Sequence, residues 1–175
     1  MTAHPSAARG LGALLAALIL TGCGGGGTGT TDGAGSEGTP AVVVRVVDGD
    51  TLIADLDDGG EERVRMLGID TPEAGERPEC GAAAATEHLR SLLPDGTDVR
   101  LVGDPTQDDR DVYDRPLRFV HRDSDDLDVN LAQVESGHAE VYIFRDQPFT
   151  RAEQYLAAER EAARAGRGAL TACRR

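Results

Sequence analysis

The 175-residue chain has no lysine and no tryptophan, and only three tyrosines and three phenylalanines. All 18 basic residues are therefore arginine, set against 31 acidic ones, for a net charge of −13. This balance excludes a general nucleic-acid coat, which needs a broad positive surface, but leaves room for one small arginine-lined site. No apolar run reaches the about 20 residues that a membrane-spanning helix requires. The patterning likewise excludes a coiled coil and a collagen-like chain. Histidine is scarce: His4, His88, His121 and His138 fall at no ligand spacing, which leaves them structural or surface roles. There is no serine-centred nucleophile elbow and no glycine-rich phosphate loop followed by lysine. Length alone implies one domain with one core.

What is present begins with an export pattern. Arg9 precedes the ten mostly apolar residues Leu11 to Leu20, too short to span a bilayer and suited to a signal-peptide core. Leu20-Thr21-Gly22-Cys23 resembles the lipobox of bacterial lipoproteins. The resemblance implies cleavage after residue 22 and a lipid on Cys23, which anchors the exported chain to the extracytoplasmic face of the cell membrane; an ordinary signal peptide followed by a free cysteine is the alternative. Residues 23–40 are rich in Gly and Thr and are expected to form a flexible tether spanning about 20–25 Å. Residues 41–175 are expected to be the folded domain, a monomer by default.

An exported domain sits in an oxidising compartment, which favours a disulfide between the two remaining cysteines, Cys80 and Cys173. It closes a long loop and is worth about 2–4 kcal/mol. Free thiols or a metal site are the alternatives, but no histidine cluster accompanies the pair.

Residues 42–47 are β-branched and read as a strand. Asp48-Gly49-Asp50 then turns the chain into a second strand over 51–56, and Asp57-Asp58-Gly59-Gly60 turns it into a third over 62–69. Further strands are expected at 98–102, 117–122 and 141–143. Helical patterns cover 82–93, 129–136 and 150–166, the last opened by a Thr150-to-Glu153 capping box. Short strands first and helices later suggest a small barrel with helices packed on it.

Three segments carry chemistry. Asp48 and Asp50, two apart at a strand end, face one way, as a turn or as a hard-cation site. Asp70-Thr71-Pro72-Glu73 follows the third strand and reads as a capped turn, or as a second acidic element of the same site. Period two puts Arg65 on the face of Leu67 and Ile69, the expected barrel interior, so the arginine sits either at the strand end or buried against an anion such as carboxylate or phosphate. Residues 110–117 form a charged loop in which Tyr113 and Arg115 suit a stacked base and a phosphate, or a plain solvated surface.

In this order and at these spacings, Val47-Asp48-Gly49-Asp50-Thr51, Arg65 with Asp70-Thr71-Pro72-Glu73, and Tyr113 with Arg115 resemble the thermonuclease family, the staphylococcal-nuclease-like domains, from about Val43 to Ala172. The resemblance implies an α+β fold, a five-stranded OB-fold barrel with three α-helices, and a Ca2+-dependent phosphodiesterase that hydrolyses single-stranded DNA and RNA to 3′-phosphate products. It implies Asp50, Asp70 and the Thr71 carbonyl as calcium ligands, with Asp48 behind them. Glu73 is implied as general base, Arg65 and Arg115 as phosphate-holding catalytic residues, and Tyr113 and Tyr142 as nucleotide contacts.

The chain departs from the family in placing Asp114, where glycine is common, directly before Arg115. A carboxylate there is expected to compete with phosphate for Arg115 and to fit a positive φ less readily than glycine. The rival reading is a catalytically weak or inactive nucleic-acid- or protein-binding OB module at the cell envelope. Retention of Asp50, Asp70, Glu73, Arg65 and Arg115 together favours the enzyme.

Overall fold

The computed structural model describes residues 38–57 and 59–173; Cys23, the export signal and most of the tether lie outside them. Alternating valines build the first strand, β1 (Thr39–Val46), which starts upstream of the expected Val42. It pairs antiparallel with β2 (Thr51–Leu56), and β2 with β3 (Gly60–Met66), so the Asp-Gly turns make the expected meander. One bulge interrupts β1 between Val43 and Arg45 and adds the local twist that a small barrel needs.

After β4 (Ile69–Asp70) comes helix α1 (Ala82–Leu92), then β5 (Asp98–Val102), which returns to pair with β1. Strand β6 (Leu117–Arg122) pairs with β5 on one edge and, in parallel, with β3 on the other, through Arg65↔Leu117 and Met66↔Arg118. This last pairing closes five strands into a barrel. It also brings the loop before β6 against the end of β3, which assembles the site described below.

The barrel is filled by Leu52, Val64, Met66, Val99, Leu101 and Val120, all at most 3% exposed, while Phe119, equally buried, lies on the other face of β6. After the two-residue strand β7 (Leu127–Asp128), helix α2 (Val129–Glu135) starts on an Asp128 cap that accepts the Leu131 N–H. Buried Asn130 pins α2 to the barrel seam: Oδ1 accepts from Val120 N at 2.9 Å, and Nδ2 donates to Leu67 O and Arg118 O. The segment expected as a strand at 141–143 contributes only β8 (Glu140–Val141), which pairs with β4. Helix α3 (Ala152–Arg164) sends Tyr155 into the core against Phe119 and Phe149.

Two expectations need correction. Thr150 does not cap α3; its N–H and hydroxyl both donate to Asp104 Oδ2, at 2.8 and 2.6 Å, and the helix begins after Arg151 with no side-chain cap. The three expected helices are present as α1, α2 and α3, and a short fourth, α4 (Gly168–Cys173), follows them. Arg65 does not face the interior. Strand β3 stops at Met66 and the chain turns at Gly68 (φ 78°), so Val64 and Met66 point inward and Arg65 outward. Glycine is required at this turn, since a Cβ on Gly68 would fall 2.6 Å from the Phe149 ring.

Candidate active site

A cleft of about 730 Å³ opens beside the barrel seam, and Asp48, Asp50, Arg65, Asp70, Thr71, Glu73, Arg115 and Tyr142 all line it. They arrive on several different structural elements. Asp48 and Asp50 sit on the β1–β2 turn, where Asp48 Oδ1 accepts the Asp50 N–H at 3.2 Å. The turn is held from behind by α2: buried Gln133 donates through Nε2 to Gly49 O (2.6 Å) and Ala85 O (3.1 Å), while its Oε1 is hydrogen-bonded to His88 Nδ1. Gly49 is packed so tightly that a Cβ would stand 2.7 Å from Thr71 Oγ1 and 2.9 Å from Ala85 Cβ. His88 also stacks on His138, ring centroids 4.7 Å apart, so two histidines with no sequence relationship share a supporting role.

Asp50 is 6% exposed, and its Oδ2 accepts from both Thr71 N and Thr71 Oγ1 at 2.9 Å. Arg65 lies between the two acidic elements. Its NH2 is 2.9 Å from Asp70 Oδ1 and 3.3 Å from Asp50 Oδ2, and its NH1 donates to Met66 O and Ile69 O. Burial pushes the Asp50 carboxyl up to about 6, against the pull of Arg65 and the Thr71 hydrogen bonds and with help from Asp48. Burial also raises Asp70, opposed by Arg65 and reinforced by Glu140 and Glu79.

A carboxylate that burial leaves short of positive charge suits a hard cation, and the donors here are oxygens only. Among the described residues no three His, Cys, Asp or Glu side chains gather as a metal cluster. Asp50 and Asp70, each within 3.3 Å of one Arg65 nitrogen, are thus a two-carboxylate donor set that the Thr71 carbonyl, water and substrate would have to complete.

Glu73 is exposed at the cleft and its loop is tied down. Glu79 Oε2 accepts the Glu73 N–H at 3.0 Å, and Glu79 N donates to Glu73 O at 2.9 Å. The next residue, Cys80, is joined to Cys173 of α4, with Cα atoms 5.8 Å apart. Arg115 is held by Asp111, not by its neighbour Asp114, which corrects the expected competition. Asp111 Oδ2 accepts from Arg115 Nε at 2.7 Å, and Oδ1 accepts from Tyr113 N and Arg115 N. Burial raises the Asp111 carboxyl, but these hydrogen bonds outweigh it and hold it below the usual range. Asp114 adopts φ 62°, and its side chain, 90% exposed, turns out to solvent 3.8 Å from Arg110. Tyr113 stands at the rim, 77% exposed, its ring 5.4 Å from the Arg115 guanidinium. Tyr142 is half-exposed beside Phe144.

The supporting residues Glu79, Asp111 and Gln133 were not foreseen. Only Asp111 left a signal, an acid four residues before Arg115 in a loop. The other two are visible only once the chain is folded.

Residues 63–169 match the family model described as staphylococcal nuclease homologue. The chain is 34% identical over 110 residues to the thermonuclease of Staphylococcus intermedius, covering 60% of this chain and 62% of that protein. It is 35% identical over 105 residues to the thermonuclease of Staphylococcus hyicus, covering 57% and 59%. An uncharacterized protein of Methanocaldococcus jannaschii is 29% identical over 142 residues, covering 69% and 66%. The matches span less than two thirds of either thermonuclease's own length.

Proposed function

This chain belongs to the family of staphylococcal nuclease homologues, and from that premise we propose that it is a calcium-dependent nuclease, exported and held to the membrane by a lipid on Cys23. It hydrolyses phosphodiester bonds of single-stranded DNA and RNA and leaves 3′-phosphate products. The observation that carries this reading is the convergence of Asp50, Arg65, Asp70, Thr71, Glu73 and Arg115 on one cleft.

Phosphodiester hydrolysis needs an activated water, in-line geometry and positive charge on the equatorial oxygens. Asp50, Asp70 and the Thr71 carbonyl would hold the calcium ion. When bound, it supplies charge that neutralises the phosphate oxygens. Glu73, exposed to the cleft, takes the proton from the attacking water. Arg65 and Arg115 bind the reacting phosphate in a bidentate manner, and neither loses its charge near neutral pH. In the free protein both guanidiniums rest on carboxylates, so phosphate shares them with Asp70 and Asp111. That arrangement keeps them oriented before substrate arrives.

The test is cleavage of single-stranded DNA by the full chain, with calcium and with excess chelator, for the wild type and Glu73→Gln. The enzyme reading expects calcium-dependent cleavage that the substitution abolishes while DNA binding persists. Calcium and DNA binding without cleavage would leave the binding-module reading in its place. Cys23→Ser is expected to release the protein from membranes.

A further inference from the structure

We propose that Arg63 is a second phosphate-binding residue, one nucleotide away from the phosphate held by Arg65, so that the cleft selects a strand with consecutive phosphates over a single phosphodiester. The inference rests on the nuclease reading and extends it to substrate length.

Strand β3 supplies the spacing. Val64 and Met66 point into the barrel, at 0% and 1% exposure, so Arg63 and Arg65 share the outer face, and both line the cleft. Side chains two apart on a strand are separated by about 6.7 Å. Two residues of a peptide and one nucleotide contain the same number of backbone bonds, so an extended strand of nucleic acid laid along β3 repeats at nearly the same distance.

Charge supplies the second argument. Five arginines line the cleft: Arg63, Arg65, Arg110, Arg115 and Arg145. Arg65 rests on Asp50 and Asp70, Arg110 on Glu62, and Arg115 on Asp111. Arg145 lies over the Phe144 ring, 4.8 Å from its centroid. Arg63 is exposed and, among the described residues, has neither a carboxylate within 4.0 Å nor an aromatic ring beneath it. In a chain where acids outnumber arginines 31 to 18, a cleft cation left without an internal anion is one available to an external one. A neighbouring phosphate does not change charge during the reaction, so Arg63 binds ground state and transition state alike and acts on KM, not kcat.

The experiment compares the full-length wild type, Arg63→Ala and Arg63→Lys on a single-stranded oligodeoxynucleotide and on thymidylyl-thymidine, which has one phosphodiester. Arg63→Ala is expected to raise KM for the oligonucleotide about three- to tenfold with kcat unchanged, and to leave the dinucleotide untouched. Arg63→Lys restores most of the loss, because charge is retained. The slope of log KM against log salt falls by about 0.7 in the alanine variant, the signature of one lost contact to single-stranded phosphate. A neutral methylphosphonate at the phosphate adjoining the cleavage site should cost the wild type the same factor and Arg63→Ala nothing. Equal losses on both substrates, or an unchanged oligonucleotide KM, overturn the subsite and leave the nuclease reading intact. A wild type that neither binds nor cuts DNA removes both.

Discussion

Asp111 and Arg115 form a closed unit: one carboxylate accepts the Arg115 main-chain N–H at 2.9 Å and its Nε at 2.7 Å. The arginine is thereby fixed at backbone and side chain by a residue within its own loop. Asp111→Ala removes both restraints together with the bond from Tyr113 N. We expect kcat to fall at least about tenfold, the scale of a misplaced positioning group, with the folded fraction at 25 °C unchanged. Activity equal to wild type would mean that substrate alone orders Arg115.

Asp114 makes the contrasting case. Its φ of 62° suits glycine, and its side chain is solvent-exposed and contributes no hydrogen bond to Arg115. Asp114→Gly is expected to stabilise the protein by about 0.5–1 kcal/mol by relieving the left-handed backbone, without loss of cleavage. Urea unfolding read by tyrosine fluorescence measures the first, and initial rates the second. A drop in activity would reassign Asp114 to the site.

Glu79 holds Glu73 only through main-chain atoms of the latter, so the substitution chosen matters. Glu79→Ala frees the Glu73 N–H and should lower kcat about three- to thirtyfold with KM nearly constant. Glu79→Gln keeps an acceptor oxygen and should retain most of the rate. If both variants fail alike, the negative charge near Asp70 is what counts, not the clamp.

Asp104 gives a pH-dependent test far from the chemistry. Burial raises its carboxyl, but hydrogen bonds from Thr106 and Thr150, hydroxyl and backbone alike, prevail and hold it below its ordinary 3.8. A depressed folded-state value contributes stability that is present above the unfolded value and lost as pH falls through the folded one. Asp104→Asn leaves one acceptor oxygen, so one of the two threonines loses its backbone N–H bond and its hydroxyl must turn from donor to acceptor. The expected cost at pH 7 is about 1.5–3 kcal/mol, shrinking below pH 3.8 as the wild-type carboxyl protonates. A cost independent of pH would show that shape, not charge, matters there.

How much of this was legible depends on how local the information was. The β1–β3 meander follows from Asp-Gly turns between β-branched runs, and the site acids and arginines sit in short motifs read directly from the chain. Of the two alternatives for Arg65 the strand end is realised and not the interior, because period two applies only while the strand continues, and β3 stops at Met66 before the turn at Gly68. The capping box failed because Thr150 found a stronger acceptor 46 residues away in Asp104. Helix α4 spans only Gly168–Cys173, too short to display a period. Gln133 behind Gly49, and Glu79 on Glu73, are relationships between folded surfaces that no spacing announces.

The Cys80–Cys173 bond turns everything from α1 to α4 into one covalent ring, with the protruding Val112–Tyr113 tip inside it, 87% and 77% exposed. Asp50, Arg65, Asp70 and Glu73 lie on the open arm before that ring. A protease that nicks the tip therefore cuts a loop without separating the pieces: β5 stays joined to the arm that holds the carboxylates by the peptide chain, and the piece carrying β6 stays tethered to it through sulfur. The same bond that anchors the loop after Glu73 allows the molecule to survive a break in its own chain.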